Sequence, residues 1–415
     1  MDKTNIGKEL RLIRKINQLS LRDLSALTGI SFMRLGKYER GEEIPTQNSI
    51  SCIEKALNCN FEELDRISKE NDKLFHEFFD SLFYHTQNLD YFKKKIEISK
   101  NEIDPKQENV DFKNAKIILM EYILHVIEFK LDKTEETEDY LLDYFKNEAK
   151  CNAILHDYIG LKFRIKKDFK NAIIWQEKAL KITTNEKVIA MVHFHLSGSY
   201  KGMRKLLQAA SSLEKASMLF SKHASYRRAN YCLAEFALIL KADGQYDLAI
   251  ETYKKSMIGA EQLEDTDFIA VDYRNMCWIM ILAKRYEEAL EYLEEATMKE
   301  PKHPFAILYG IWCNYKLERY DEAKQIIDEN HQLEENKTFS NFYDLFVKLL
   351  KCGKGVPSQT CLNSAVKIVK SLNHNEEYER CIFYIDILLD LLDRCGNETE
   401  KIKYMKMKID LLGND

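Results

Sequence analysis

The stretch LSLRDLSALTGISFMRLGKYERGEEIP, Leu19–Pro45, decides how the N-terminal part of the chain folds. Ser20 stands ahead of an apolar helical rhythm, Leu21, Leu24 and Leu27, with Asp23 placed to complete a capping box. Gly29 follows Thr28, where a left-handed residue stops a helix. Ser31 caps the next helix, which runs to about Glu39 or Arg40, and Gly41 ends it. Pro45 breaks whatever precedes it. Upstream, Ile6, Leu10, Ile13 and Ile16 predict a first helix over 6–16. Downstream, Ile50, Ile53, Ala56 and Leu57 mark a fourth. Asn60 caps a short fifth containing Phe61, Glu63 and Leu64. Five short helices with a three-to-four-residue turn between the second and third form a helix-turn-helix module.

Charge supports that assignment. The chain of 415 residues carries a net charge of −5, yet residues 1–41 hold nine Lys/Arg against four acids. A small basic module on an acidic body suggests that one end meets a polyanion.

The module resembles the DNA-binding domain of phage repressors and many bacterial regulators. The resemblance covers about residues 5–65 and rests on IGKELRLIR, LSLRDLSALTGIS, LGKYERGEEIP and ALNCNFEEL. It implies a structural ion pair between Arg14 and Glu39. It also implies that the third helix enters the major groove of double-stranded promoter DNA. Ser31, Phe32, Met33 and Arg34 would then face base edges, Arg34 reaching guanine and Phe32 or Met33 packing on thymine methyls. Phe32 and Met33 have a second reading, as packing residues between helices. Lys37 and Ser31 are candidates for phosphate contact. The sequence departs from the family at Leu21, where glutamine often contacts the backbone, and Arg22 is the candidate substitute.

The rest of the chain reads as helical repeats. Ala172, Ala209, Ala249, Ala289 and Ala323 recur at steps of 37, 40, 40 and 34 residues, mostly with Phe or Tyr three places earlier: Phe169, Tyr246, Tyr286 and Tyr320. A degenerate copy centres on Tyr378 and Cys381. These segments resemble tetratricopeptide repeats, whose stacked helix pairs make a concave binding surface. The expected fold is all-α: a five-helix Cro/C1-type domain over 1–65, connecting helices over 66–150, and a tetratricopeptide-like right-handed superhelix over 151–415. A short hinge is expected near Arg66–Asp72, a loop over Ser99–Asn109 and a helix over 112–129. Projecting the repeat frame onto the first helix of each pair gives Arg164, Lys201, Tyr231, Arg274, Trp278, Trp312 and Tyr315 as peptide-facing candidates, with Asn275 and Asn314 near them. Trp312 also reads as core. Arg274 and Trp278 are four apart and read as the best-placed pair.

Repressor-type domain plus repeat array resembles the peptide-sensing transcriptional regulators of Gram-positive bacteria, the Rap/Rgg/NprR/PlcR/PrgX group. That resemblance implies a homodimer or higher homo-oligomer, a short signalling peptide as ligand, and in some members a response-regulator protein partner. The alternative is a repeat scaffold that binds a protein and carries an accessory DNA-binding domain.

Chemistry-bearing motifs are scarce. His193 and His195 are two apart, so they diverge on a helix. CGKGVP (352–357) lacks phosphate-loop spacing and reads as a break between helices. Acidic runs such as EETED read as charged turns. The ten cysteines include no Cys-x-x-Cys pair and suit a reduced compartment. No signal peptide or membrane span is expected. The expectation is a cytoplasmic protein that is not an enzyme and needs no cofactor or metal.

Overall fold

A computed structural model describes residues 5–86, 88–101, 115–265, 269–336, 338–375 and 377–412. Among them, all regular structure is helical. The chain divides into two compact units, 1–195 and 196–415.

In the first unit, α1 (Asn5–Ile16), α2 (Leu21–Thr28), α3 (Phe32–Arg40) and α4 (Gln47–Leu57) form the helix-turn-helix domain. The caps are local and strong. Ser20 Oγ accepts from Asp23 N at 3.1 Å, and Asp23 Oδ2 accepts from Ser20 N at 2.8 Å. Gly29 and Gly41 take φ of 70° and 73°, where a side chain is strained. Leu10, Ile13, Leu24, Leu35, Tyr38, Ile53, Leu57 and Phe61 make the core. Gly7 lets α1 approach α3 closely: a Cβ there would lie 2.1 Å from Tyr38 O.

The fifth helix differs from expectation. From its Asn60 cap, α5 runs Phe61–Tyr84, 24 residues, until His85 turns left-handed at φ 55°. The expected hinge at Arg66–Asp72 is therefore continuous helix, and the expected boundary after residue 65 falls inside it. No Gly or Pro interrupts 61–84. Phe75, Phe78, Phe79, Leu82 and Phe83 are buried along its second half. α6 (Leu89–Asn101) extends into the expected loop, whose remainder, 102–109, lies outside the described residues. α7 is Ala115–Ile127, two residues shorter at its end than expected, and α8 is Glu135–Phe145.

Paired helices begin with α9 (Ala149–Ile165) and α10 (Phe169–Ile182). α11 (Glu186–Gly202) is followed by α12 (Leu206–Lys222), then α13 (Tyr226–Ala242) by α14 (Tyr246–Gln262). α15 (Ile269–Leu282) precedes α16 (Tyr286–Lys299), and α17 (Pro304–Lys316) precedes α18 (Tyr320–Glu329). The marked alanines Ala172, Ala209, Ala249, Ala289 and Ala323 are all 0% exposed. Each of the five second helices starts two residues after a positive-φ residue: Lys167, Arg204, Gly244, Lys284 and Glu318. Only one of these is glycine, so four turns hold an L side chain in a region that costs about 1–2 kcal/mol. α19 (Ser340–Cys352), α20 (Gln359–His374), α21 (Tyr378–Arg394) and α22 (Glu398–Leu412) complete the second unit. There Arg204 Nη1 donates to Leu411 O at 2.7 Å, tying the α11–α12 turn to the last helix.

Candidate DNA-reading face and aromatic recess

The third helix divides cleanly. Leu35, Gly36, Tyr38 and Glu39 are buried. Phe32 is 45% and Met33 68% exposed. Ser31, Arg34 and Lys37 are exposed too. Ser31 Oγ accepts from Arg34 N at 3.4 Å. Arg22 lies 5.8 Å from the Phe32 ring centroid, a cation–π contact linking α2 to the start of α3.

The arginines have different duties. Arg14 Nε and Nη2 donate to the two Glu39 oxygens at 2.6 and 2.9 Å, and Nη1 donates to Leu19 O at 2.7 Å. This buried fork fixes α1, the α1–α2 turn and α3 together. Arg34 Nε donates to Glu43 Oε1 at 2.6 Å, but about half its side chain is exposed.

In the second unit, α15, α17, α19 and α21 surround a small aromatic recess with about 20 Å³ of free volume. Its walls are Trp278, Phe305, Leu308, Tyr309, Trp312, Phe342, Phe346, Arg380, Phe383 and Tyr384. Trp278 stacks on Tyr309 at 5.2 Å. Phe383 meets Trp278 edge-on at 4.9 Å and Trp312 at 5.4 Å. Arg380 lies 4.0 Å from the Phe305 ring centroid. Trp278 Nε1 donates to Glu379 Oε1 at 2.5 Å, and Lys241 Nζ donates to the same oxygen at 2.9 Å. Burial would raise the Glu379 carboxyl, but Lys241's charge, with both hydrogen bonds, outweighs it and holds the group below the usual carboxylate range. Trp312 Nε1 is buried and finds no acceptor among the described residues.

The other projected candidates do not gather at this recess. Arg274 pairs with Glu300 and is not among the residues that line the recess with Trp278. Asn275 Nδ2 donates to Tyr253 OH at 3.0 Å, and Asn314 Nδ2 to its own helix at Gly310 O, 2.9 Å. Each amide nitrogen spends one of its two N–H donors in these bonds. Tyr231 OH donates to Asp265 at 2.5 Å, and Lys201 to Glu235 at 2.5 Å. Tyr315 OH donates to Gly353 O at 3.1 Å, while its ring stacks on Trp312 at 5.7 Å. Arg164 is half-buried on α9 and belongs to the first unit. Trp278 and Trp312 line the recess as buried aromatics. Sequence reasoning missed Arg380, Phe383 and Glu379; Tyr378 signalled the start of α21, and nothing local placed the helix against α15.

Among the described residues, no helix is long and apolar enough to cross a membrane. No group of three or more His, Cys, Asp or Glu among them is placed to hold a metal. All ten cysteines are free, six of them buried.

Fold and sites together define a helix-turn-helix domain followed by tetratricopeptide repeats. Residues 10–64 match the helix-turn-helix family, and residues 228–297 and 280–329 match tetratricopeptide-repeat families. The same fold is seen in a Rap protein and in the quorum sensor NprR. The apo quorum sensor NprR from B. thuringiensis superposes with a TM-score of 0.60 at 14% identity, covering 84% of this chain and 100% of that one. A Rap protein in complex with Competence and Sporulation Factor gives 0.61 at 16% identity, covering 83% and 98%. The transcriptional activator NprA of Geobacillus stearothermophilus is 20% identical over 337 residues, 77% of this chain and 80% of that protein.

Proposed function

We propose that this protein is a cytoplasmic transcription regulator. It reads promoter DNA through α3 as a homodimer or higher homo-oligomer, and a short signalling peptide bound to the repeat helices switches it. One observation carries the reading: the solvent-facing run Phe32, Met33, Arg34 and Lys37 on a helix whose opposite side is locked into the core. The Arg34–Glu43 pair does not stand in the way. An exposed ion pair contributes about 0–1 kcal/mol, whereas a bidentate arginine–guanine contact is worth about 1–3 kcal/mol. DNA therefore wins the guanidinium. NprA's description as a transcriptional activator supports the DNA half.

For the peptide, Trp312 Nε1 offers an unused donor beside an apolar recess. Ligand cavities typically span about 300–1,000 Å³, so side chains of this recess must move aside to admit a peptide residue. The NprR likeness supports a peptide ligand, since NprR is seen in complex with its cognate peptide NprX.

Short open reading frames beside the gene nominate candidate peptides. Calorimetric titration of each, with and without operator duplex, tests the switch. A peptide affinity that DNA leaves unchanged rejects coupling, because linkage is reciprocal. The rival reading is a scaffold for a protein partner. Full complementation of a deletion strain by an Arg34→Ala/Lys37→Ala double variant would favour it; truncation after residue 65 would not decide, since it cuts α5.

A further inference from the structure

Trp312 is 8% exposed, and its Nε1 is a buried donor with no acceptor among the described residues. A buried N–H left unpaired is costly, so this one calls for an acceptor from outside the chain. The recess that Trp312 lines has about 20 Å³ of free volume, room for about one water. A single oxygen atom fits there without moving a wall.

A second donor lines the same recess. Arg380 reaches it from the first turn of α21, its guanidinium 4.0 Å from the Phe305 ring centroid. Nη1 donates to Glu377 at 3.0 Å, whereas Nε and Nη2 have no partner among the described residues. The Glu377 pair is about one third exposed on both sides, so it contributes little and is readily exchanged. Stacking on Phe305 holds the guanidinium plane in place. The neighbouring acid, Glu379, is already engaged by Trp278 Nε1 and Lys241 Nζ, which offset its charge.

An indole N–H and an arginine fork among aromatic walls select an anion with an apolar body. Carboxylate matches the fork and supplies the missing oxygen. A cation does not suit the recess, because Arg380 already covers the Phe305 face and would repel it. We propose that the recess takes the C-terminal carboxylate of the peptide. One oxygen accepts from Trp312 Nε1, Arg380 pairs with the other, and the apolar side chain of the last residue lies against the aromatic rim. This rests on the peptide reading above and adds which end of the peptide is held, and by what.

The test needs no peptide. The chain has three tryptophans, so full-length protein labelled with nitrogen-15 at tryptophan gives three indole N–H signals. Trp175→Phe, Trp278→Phe and Trp312→Phe assign them. The probes are N-acetyl-L-phenylalanine, its amide, the α-amide of N-acetyl-L-glutamate, and phenethylamine. N-acetyl-L-phenylalanine should shift the Trp312 signal downfield, saturating at about tenfold lower concentration than its amide. The glutamate derivative, whose carboxylate is on the side chain, should be weaker, and phenethylamine should leave the signal in place. Arg380→Gln should abolish the tenfold preference, and Arg380→Lys should restore part of it. If Arg380→Gln misfolds by circular dichroism, the comparison of acid with amide in the parent still decides. Equal titration by acid and amide overturns the proposal, as does a stronger response to the glutamate derivative or the amine, or a preference that a folded Arg380→Gln retains. Any of these leaves the calorimetric test of the peptide reading untouched. Calorimetry in which no peptide binds would end that reading while the indole shift still reported on the recess.

Discussion

Arg34 and Lys37 sit one turn apart on α3, and their chemistry separates what they should do. The Arg34 fork can discriminate a base, so Arg34→Ala should cost about 1–3 kcal/mol on the preferred duplex and little on others. Lys37→Ala should weaken every duplex similarly and flatten the salt dependence by about one counterion. Fluorescence anisotropy against target and scrambled duplexes, at several salt concentrations, reads both. A second residue-scale expectation concerns Asp272, whose Oδ1 accepts from Tyr253 OH at 2.7 Å inside the repeat core. Burial raises it to about 6; the Tyr253 bond pulls the other way, and Asp265 adds to the rise. Unfolded, the group titrates near 4. Between about pH 4 and 6 the folded chain keeps a proton that the unfolded chain has lost, so stability falls as pH rises. Asp272→Asn keeps the acceptor without the charge. It should match the parent near pH 4 and exceed it by about 2–3 kcal/mol at pH 7 in denaturant unfolding. At this scale the exposed side of α3 was legible, because exposure on a short amphipathic helix follows from spacing. The Trp278–Glu379–Lys241 cluster was not: Glu379 is 101 positions from Trp278, and only tertiary packing joins them.

Helices reveal what local signals encode. Ser20, Gly29, Ser31 and Gly41 were readable since a cap acts on residues within four positions. The length of α5 was not. The polar run Ser68–Lys73 resembles a linker, yet its residues mostly favour helix and the aromatic stripe beyond it supplies the packing. The repeat turns yield a sharper test. Lys284 holds φ 61° where the equivalent turn uses Gly244 at 78°. Lys284→Gly should stabilise by up to about 1 kcal/mol, and Gly244→Ala should destabilise by about as much. Thermal melting of both variants checks the opposite signs. Gly7→Ala should be worse, since its Cβ meets backbone rather than a movable side chain. Overpacking of about 1–3 kcal/mol or more should speed hydrogen exchange in α1–α4 and leave the second unit unchanged.

For the whole molecule, the claim is that a DNA-reading unit and a ligand-binding repeat unit act in one regulator. One helix-turn-helix domain makes a small interface, so two copies should read half-sites one helical turn apart or a multiple of it. Coupling then requires that the ligand favour one arrangement of the protein over another. The DNA half is the more direct to measure. Full-length protein is used to select from a pool of randomised duplexes, with the Arg34→Ala/Lys37→Ala variant run in parallel. The expected result is enrichment by the parent of one sequence repeated about its own centre, at a spacing of about one helical turn or a multiple, and loss of that enrichment in the variant. A parent that enriches nothing, or the same duplexes from both proteins, would contradict the assignment of α3 as the DNA-reading helix.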